Sequence, residues 1–196
     1  PARMLRRFYD WTLRVSAHPH ALGWLALVAF VESSIFPIPP DVMIVAMVLA
    51  TRAKAWRIAA VATVASVVGG FAGYAIGGLF FEAVGRPIVE FYGYGAKFTE
   101  FSQMYNEWGA WIVFGAGLTP FPYKVITIAS GVTALDPVVF GAASGLARGI
   151  RFFAVSAVLW YFGPPIRILL ERYLGPVTTV FFVLLVGGFV ALKYLV

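Results

Sequence analysis

Long apolar stretches alternate with short polar or proline-rich breaks along this chain of 196 residues. No residue from Ile58 to Phe81 is charged, and the stretch from Leu174 to Leu192 is uncharged as well. At about 1.5 Å per residue, helices of these lengths cross the roughly 30 Å apolar core of a bilayer. A third long stretch, Val138–Phe162, follows Asp136 and Pro137, which suit a helix N-cap and a first helical residue. The pattern therefore predicts three membrane-spanning helices.

Two shorter apolar stretches, Ala21–Val31 and Val42–Thr51, flank a break that contains Pro37, Pro39 and Pro40. Proline removes a helical hydrogen-bond donor and clashes with the preceding turn, so one continuous helix is excluded. Each arm alone is too short to span a bilayer. The segment is therefore predicted to enter and leave on the same side, as a re-entrant hairpin.

The same pattern recurs later in the chain. Trp108–Leu118 and Val125–Leu135 flank a second break, which contains Pro120 and Pro122. Both breaks carry the pattern Pro-x-Pro-x followed by a charged residue and a valine, at a shift of 83 positions. With one full crossing in each half, the second half would be inverted relative to the first, as in many transporters. The two tips would then meet near the midplane, where non-helical backbone is tolerated only inside protein or beside a wet cavity.

Polar segments precede each hairpin. Residues Arg3–Ala17 have the spacing of a basic amphipathic helix at a membrane surface. The acidic and aromatic segment 82–107 is predicted to form one or two interfacial helices on the opposite face. Basic residues flank the first hairpin on both sides, at Arg14, Arg52, Lys54 and Arg57. This bias places both of its ends in the cytoplasm.

Together these features predict an all-α integral membrane protein, with one membrane domain over residues 1–196. Repeat 1 (about 3–81) and repeat 2 (about 86–163) would each contain an interfacial helix, a re-entrant hairpin and a transmembrane helix. A linker and a C-terminal transmembrane helix would follow over 164–196. Glycines in the 58–81 helix predict close helix packing and would also suit a dimer, so monomer and homodimer both stay open.

The composition supports a membrane location. Hydrophobic residues make up 61% of the chain and charged residues 12%, whereas soluble domains have about 25% charged residues. Without cysteine, the chain has no disulfide, thiol nucleophile or Cys-ligated metal. The net charge of +6 is explained by the positive-inside rule and anionic lipids rather than by nucleic acid.

Charged residues inside apolar segments are costly and are candidate functional residues. There are five of them: Glu32, Asp41, Lys124, Arg148 and Arg151. The first hairpin contributes two acids and the second half three bases. We expect each acid to pair with a base of the other half, which leaves one positive charge over.

Two interpretations of this cluster stay open. The charges either form structural ion pairs between the hairpins, or the surplus cation binds an anionic headgroup, since arginine suits phosphate. In the second case the acids would also couple movement to the proton gradient. We expect no enzyme, because Ser33, Ser34 and Ser130 have no apparent His partner. The sequence also indicates no cofactor, and no metal-ligand cluster.

Several motifs taken together resemble those of the DedA membrane proteins, also called the SNARE-associated or VTT-domain family. They are Glu32 with the tip Pro37-x-Pro39-x-Asp41, the run Thr119–Lys124, Ile128–Gly131, and Arg148-Gly149-x-Arg151-Phe152-Phe153. The second and later motifs look most like the YqaA branch. The resemblance covers roughly residues 20–172.

The resemblance implies a multi-pass protein of the bacterial inner membrane with two opposed re-entrant hairpins. Relatives are implicated in moving lipids across the bilayer, including undecaprenyl phosphate uptake and phospholipid scrambling. The family's important acids fall on Glu32 and Asp41, and its second-hairpin arginine falls on Lys124. This chain departs from the family pattern at Leu118, where an arginine is usual, and lysine lacks the arginine fork. Arg148 and Arg151 would then take over anion binding.

The function favoured by these residues is a flippase or scramblase for a phosphate-headed membrane lipid, with possible coupling to the proton gradient. A proton-coupled cation antiporter would use the same acids. A membrane assembly protein without transport activity is the third alternative.

Overall fold

The computed structural model describes residues 20–35, 39–119 and 121–163. These residues are mostly helical, with no strand among them. The helices are α1 (Ala21–Ser34), α2 (Pro40–Ala50), α3 (Ala55–Phe80), α4 (Arg86–Phe91), α5 (Gly95–Leu118), α6 (Tyr123–Val132) and α7 (Pro137–Phe162). The predicted helix Arg3–Ala17, the tip residues Pro37 and Pro120, and the predicted C-terminal linker and helix over 164–196 lie outside the described residues.

Proline and aspartate set the helix starts. Pro39 precedes α2 in an extended conformation and Pro40 is its first residue, while Pro122 precedes α6 in the same way. The predicted cap of α7 is confirmed, because Asp136 Oδ1 accepts hydrogen bonds from the backbone N–H groups of Val138 and Val139, each at 2.9 Å. The prolines therefore interrupt each apolar segment where the sequence indicates.

Two helical stretches among the described residues, Arg52–Phe91 and Pro137–Phe162, are long and apolar enough to cross a membrane. The first extends beyond the predicted span of 58–81. A turn of 3₁₀-helix (Arg52–Lys54) leads into α3, and a turn of π-helix (Phe81–Gly85) joins α3 to α4 without a break.

The second half differs from the prediction in one respect. We expected a separate interfacial helix before an apolar arm beginning at Trp108, but α5 is one helix from Gly95 to Leu118. The change from polar to apolar residues near Glu107 alters the surroundings of the helix without ending it, since no proline lies there and Gly109 is itself helical. Composition was therefore a poor guide to this boundary.

The short helices α1 and α6 lie end to end along α3. The close pairs are Phe30–Gly69 and Ser33–Gly73 for α1, and Thr127–Gly73 and Gly131–Gly78 for α6. Residue numbers rise together in both sets, so α1 and α6 run parallel to α3. The Thr127 hydroxyl donates to the Ser33 carbonyl at 3.1 Å. The end of α1 therefore meets the first turns of α6 beside the middle of α3.

The remaining long helices run in the opposite direction. The contacts of α7 with α3 pair Phe140 with Tyr74, Arg148 with Ser66, and Phe153 with Trp56. Residue numbers decrease along α3 as they increase along α7, so the two helices are antiparallel. Since α1 ends beside the middle of α3 and α2 leads into the start of α3, α2 runs back along α1. Helix α5 packs parallel to α7, through the pairs Gly109–Leu135 and Gly117–Ala147. Helices α1–α2 and α5–α6 thus form two hairpins whose bends face each other.

Glycines permit this close packing. A methyl group at Gly69 would collide with the carbonyl of Phe30, and one at Gly77 with the carbonyl of Ile128. The predicted packing role of the α3 glycines is confirmed. Within the described part of the chain, this glycine face is covered by α1 and α6, so it is not free to join a second copy.

We expect Gly69→Ala to lower the melting temperature of the detergent-purified protein, because backbone would have to move to admit the methyl group. Overpacking of this kind costs about 1–3 kcal/mol. The matched control is Gly145→Ala in α7, where an added Cβ meets nothing within 4 Å. That variant should be as stable as the wild type or slightly more so. Equal melting temperatures for the two variants would contradict the packing described here.

Candidate functional site

The five predicted charged residues lie at or near the two facing bends. Glu32 is in the last turn of α1, Asp41 in the first turn of α2, and Lys124 in the first turn of α6, while Arg148 and Arg151 lie in the middle of α7. Arg148 pairs with Glu32, and Arg151 pairs with Asp41 at 2.8 Å. The expected pairing of each acid with a base of the other half is confirmed.

Arg148 is enclosed by protein. Its side chain is 3% exposed, and its Nε donates to Ser66 Oγ at 2.6 Å. One terminal nitrogen donates to both Glu32 and Ser33 Oγ. The guanidinium also lies over the ring of Tyr123, 4.7 Å from its centroid, and over a second ring one turn along α7. Cation–π contacts of this kind strengthen as the cation is desolvated.

Phe152, one turn along α7 from Arg148, supplies the second aromatic ring. The centroid of this ring lies 4.8 Å from Arg148 Cζ. The cation is therefore held by four helices: α1 through Glu32 and Ser33, α3 through Ser66, α6 through Tyr123, and α7 itself. The Ser33 and Ser66 hydroxyls are also hydrogen-bonded to each other at 2.6 Å. In this arrangement the Arg148 guanidinium is closed off from an external ligand.

Arg151 is placed differently. Its side chain is 20% exposed, and that of Asp41 is 30% exposed. One terminal nitrogen donates to Asp41, and the other donates to the carbonyl of Thr119 at 2.7 Å. Asp41 follows the first break and Thr119 opens the second. Arg151 therefore bridges the two bends, on a more open side of the cluster than Arg148.

Lys124 is the base that is left over. It is half-buried, and it has no ion pair among the residues described. Its backbone carbonyl accepts a hydrogen bond from the Thr127 hydroxyl at 2.9 Å. The surplus positive charge expected from the sequence is thus located at the start of α6.

Sequence reasoning missed the hydroxyl groups that hold the two bends together. Each interrupts an apolar helix and is buried: Ser33, Ser66, Thr127 and Ser144. Ser144 accepts the hydroxyl hydrogen bond of Tyr123, which positions that ring against Arg148. A polar residue within an otherwise apolar helix was the available indication, because a buried hydroxyl needs a partner.

Other features lie apart from this cluster. An open apolar groove of about 500 Å³ on α5 is lined by Phe101, Met104, Tyr105, Trp108, Trp111 and Ile112, and contains none of the five charged residues. Across the described ranges, no three His, Asp or Glu side chains are grouped so that they could hold a metal ion. The apolar groove on α5 and the ionic cluster at the bends are therefore separate features of the described structure.

No family model matches the chain, and no solved structure matches it. An uncharacterized protein of Haemophilus influenzae is 38% identical over 148 residues, which are 76% of this chain and 77% of the relative. A Histophilus somni protein described as an HI0703 homolog is 32% identical over 148 residues, with the same coverage of each chain. The chain belongs to the family of these two proteins. Both relatives are uncharacterized proteins, so the case for a function of this family member depends on its geometry.

We expect the two arginines to differ in their effect on stability. Arg148→Gln would leave Glu32, which is 16% exposed, without its partner. Breaking a buried pair costs about 3–5 kcal/mol, and we expect a loss towards the lower end of that range. Arg151→Gln breaks a partly exposed pair, and exposed pairs contribute at most about 1 kcal/mol. Thermal unfolding of the two variants in one detergent should therefore show a much larger loss for Arg148→Gln.

A double variant checks the cause of that loss. Glu32→Gln together with Arg148→Gln removes both charges, so its loss should be smaller than the sum of the two single losses. Additive losses, or equally small losses for Arg148→Gln and Arg151→Gln, would show that the enclosed pair does not hold the bends together.

Proposed function

We propose that the chain is an integral membrane protein of the DedA type, which moves a phosphate-headed lipid across the bacterial inner membrane. Undecaprenyl phosphate and ordinary phospholipids are the candidate lipids. The observation that carries the proposal is the pair of facing bends beside the middle of α3, with Arg151 and Lys124 supplying positive charge around non-helical backbone.

The exposure of the long helices supports the membrane location. Only 39% of the apolar window in Arg52–Phe91 and 33% of that in Pro137–Phe162 are buried, whereas the core helix of a soluble protein would be mostly buried. Large apolar side chains face outward from α3 and α7, among them Val64, Leu79, Phe80, Val138 and Leu146. Exposed apolar side chains in this number suit contact with acyl chains and are costly in water.

The directions of the helices support an inverted repeat. Helices α1, α2 and α3 run up, down and up, whereas α5, α6 and α7 run down, up and down. Helix α1 has 14 residues, about 21 Å of rise, and it ends beside Gly73 of the 26-residue α3. Two hairpins that enter from opposite faces and meet at mid-depth would have this arrangement.

The charge cluster favours an anionic substrate over a cation. Both acids at the bends are paired with arginines, so in the described part of the chain neither is available to bind a metal cation. Arg151 presents a fork of donors that fits phosphate, and Lys124 adds a second positive charge. Asp41 is the more exposed of the two acids and is the candidate for coupling to the proton gradient.

Cysteine labelling tests the two re-entrant hairpins, and the chain has no cysteine of its own. A membrane-impermeant maleimide should label Gly23→Cys and Ala53→Cys from one face of the membrane, because both ends of the first hairpin lie there. It should label Ala96→Cys and Ala134→Cys from the other face. All four positions are exposed in the structure. Labelling of positions 23 and 53 from opposite faces would mean that the first segment crosses the membrane.

Transport is tested in liposomes reconstituted with the full chain and a fluorescent polyprenyl phosphate or a fluorescent phospholipid. The wild type should move the lipid, and Arg151→Gln should slow movement about tenfold, since a charge-assisted hydrogen bond to phosphate is worth about 1.5–3 kcal/mol. Arg86→Gln is the matched control. Arg86 forms an exposed ion pair with Glu82, and both residues follow the C-terminal end of α3, whereas the bends lie beside its middle. Equal rates for wild type and Arg151→Gln would remove the anion-binding role.

The same liposomes separate the alternatives. An antiporter would move cations without any lipid requirement, and an assembly protein would move neither. If the charge variants lost function only by failing to reach the membrane, the assembly role would be favoured.

A further inference from the structure

The two ion pairs at the bends have the same chemistry but different surroundings. Arg148 is enclosed by aromatic rings and hydroxyl groups, whereas Arg151 and Asp41 both keep contact with the exterior. Among the residues that the structure describes, Arg151 shares no hydrogen-bond partner with Arg148. The outer pair can therefore open while the inner pair stays closed.

Asp41 occupies a position that a phosphate group could take. Carboxylate and phosphate oxygens accept the same charge-assisted hydrogen bonds from a guanidinium. The other terminal nitrogen of Arg151 is fixed by the Thr119 carbonyl at 2.7 Å, so its orientation does not depend on Asp41 alone. Lys124, in the turn that follows the same break, has no acidic partner among the described residues.

We propose that Asp41 masks an anion site centred on Arg151, and that a phosphate headgroup displaces Asp41 from Arg151. Displacement separates the first bend from the second on this side only. The inner contacts, Arg148 with Glu32 and Thr127 with Ser33, stay in place and hold the hairpins together. This inference rests on the proposed function for the identity of the substrate. It adds the step in which the phosphate headgroup of that substrate enters the site at Arg151.

The masking predicts that removing the Asp41 charge strengthens anion binding. A site occupied by an internal competitor binds its ligand more weakly, in proportion to the fraction of time that it is free. For a partly exposed ion pair we expect a change of about fivefold. Asp41→Asn should therefore bind tighter than the wild type, and Arg151→Gln should bind about tenfold more weakly.

The binding experiment uses the full chain in an uncharged detergent, titrated with dihexanoyl phosphatidic acid. Dihexanoyl glycerol, which lacks the phosphate, should not bind. Inorganic phosphate distinguishes a site for free anions from a site for lipids. It should compete with phosphatidic acid only if the glycerolipid part of that ligand contributes little to binding. The exposed pair Glu82–Arg86 supplies matched controls: Glu82→Gln and Arg86→Gln should both bind as the wild type does. The inference is wrong if Asp41→Asn binds no tighter, or if Arg151→Gln binds as tightly as the wild type.

A distance measurement tests the displacement in protein whose charges are intact. Spin labels at Ile35→Cys and Phe121→Cys report on the two breaks, since both positions are exposed. Phosphatidic acid should lengthen the separation between the labels, and Asp41→Asn should lengthen it without ligand. An unchanged separation in both cases would overturn the opening step.

The outcomes distinguish this inference from the proposed function. Tighter binding by Asp41→Asn together with no lipid movement by the wild type would reject the transport proposal and retain the masked site. Lipid movement by the wild type together with unchanged binding by Asp41→Asn would do the reverse.

Discussion

A guanidinium buried among apolar helices must have its charge paired and its donors bonded, or it destabilises the fold by several kcal/mol. Arg148 meets this requirement only because other helices bring partners to it. Glu32 comes from the end of α1, Ser66 from the middle of α3, and the Tyr123 ring from the start of α6. The burial of one side chain thus fixes where four helices lie relative to one another. The facing bends follow from that constraint.

The charge could not be buried in this way without the glycines of α3. The bend regions of both hairpins pack on the same face of α3, and Gly70 and Gly73 lie directly beneath Tyr123 and Thr127. Side chains at these positions would push the hairpins outward and separate Arg148 from its partners. Close backbone packing and the ionic cluster therefore depend on each other, although they use different parts of the sequence.

Much of the helical arrangement could be predicted from the sequence, because its causes are local. Proline excludes a continuous helix through either break, and Asp136 caps α7 wherever that helix packs. The opposite signs of the charges in the two halves were enough to predict pairing between them. The start of α5 was not predictable in the same way, since a change of composition does not end a helix.

The details of the site depend on register and rotation, which the sequence pattern does not specify. The two bases Arg148 and Arg151 are three positions apart and share a helix face, yet one is buried and the other is partly exposed. Which acid pairs with which base follows from how far α1 and α2 reach along α7. The hydroxyl network around Ser33 and Ser66 links residues 33 positions apart, and it forms only once α1 lies on the glycine face.

Two ion pairs, one turn apart on α7, connect the two bends. The Arg148–Glu32 pair is enclosed, whereas the Arg151–Asp41 pair is partly exposed. If both pairs were enclosed, opening either one would expose a charge in an apolar interior, and the hairpins would be locked together. If both were exposed, neither would contribute enough to hold the bends in place. With one pair enclosed and one accessible, the hairpins can stay joined at Arg148 while contacts at Arg151 are exchanged. A lipid headgroup that competes for Arg151 would need to offset only the weaker of the two connections, so the energy required to admit it is small compared with the energy that holds the fold together.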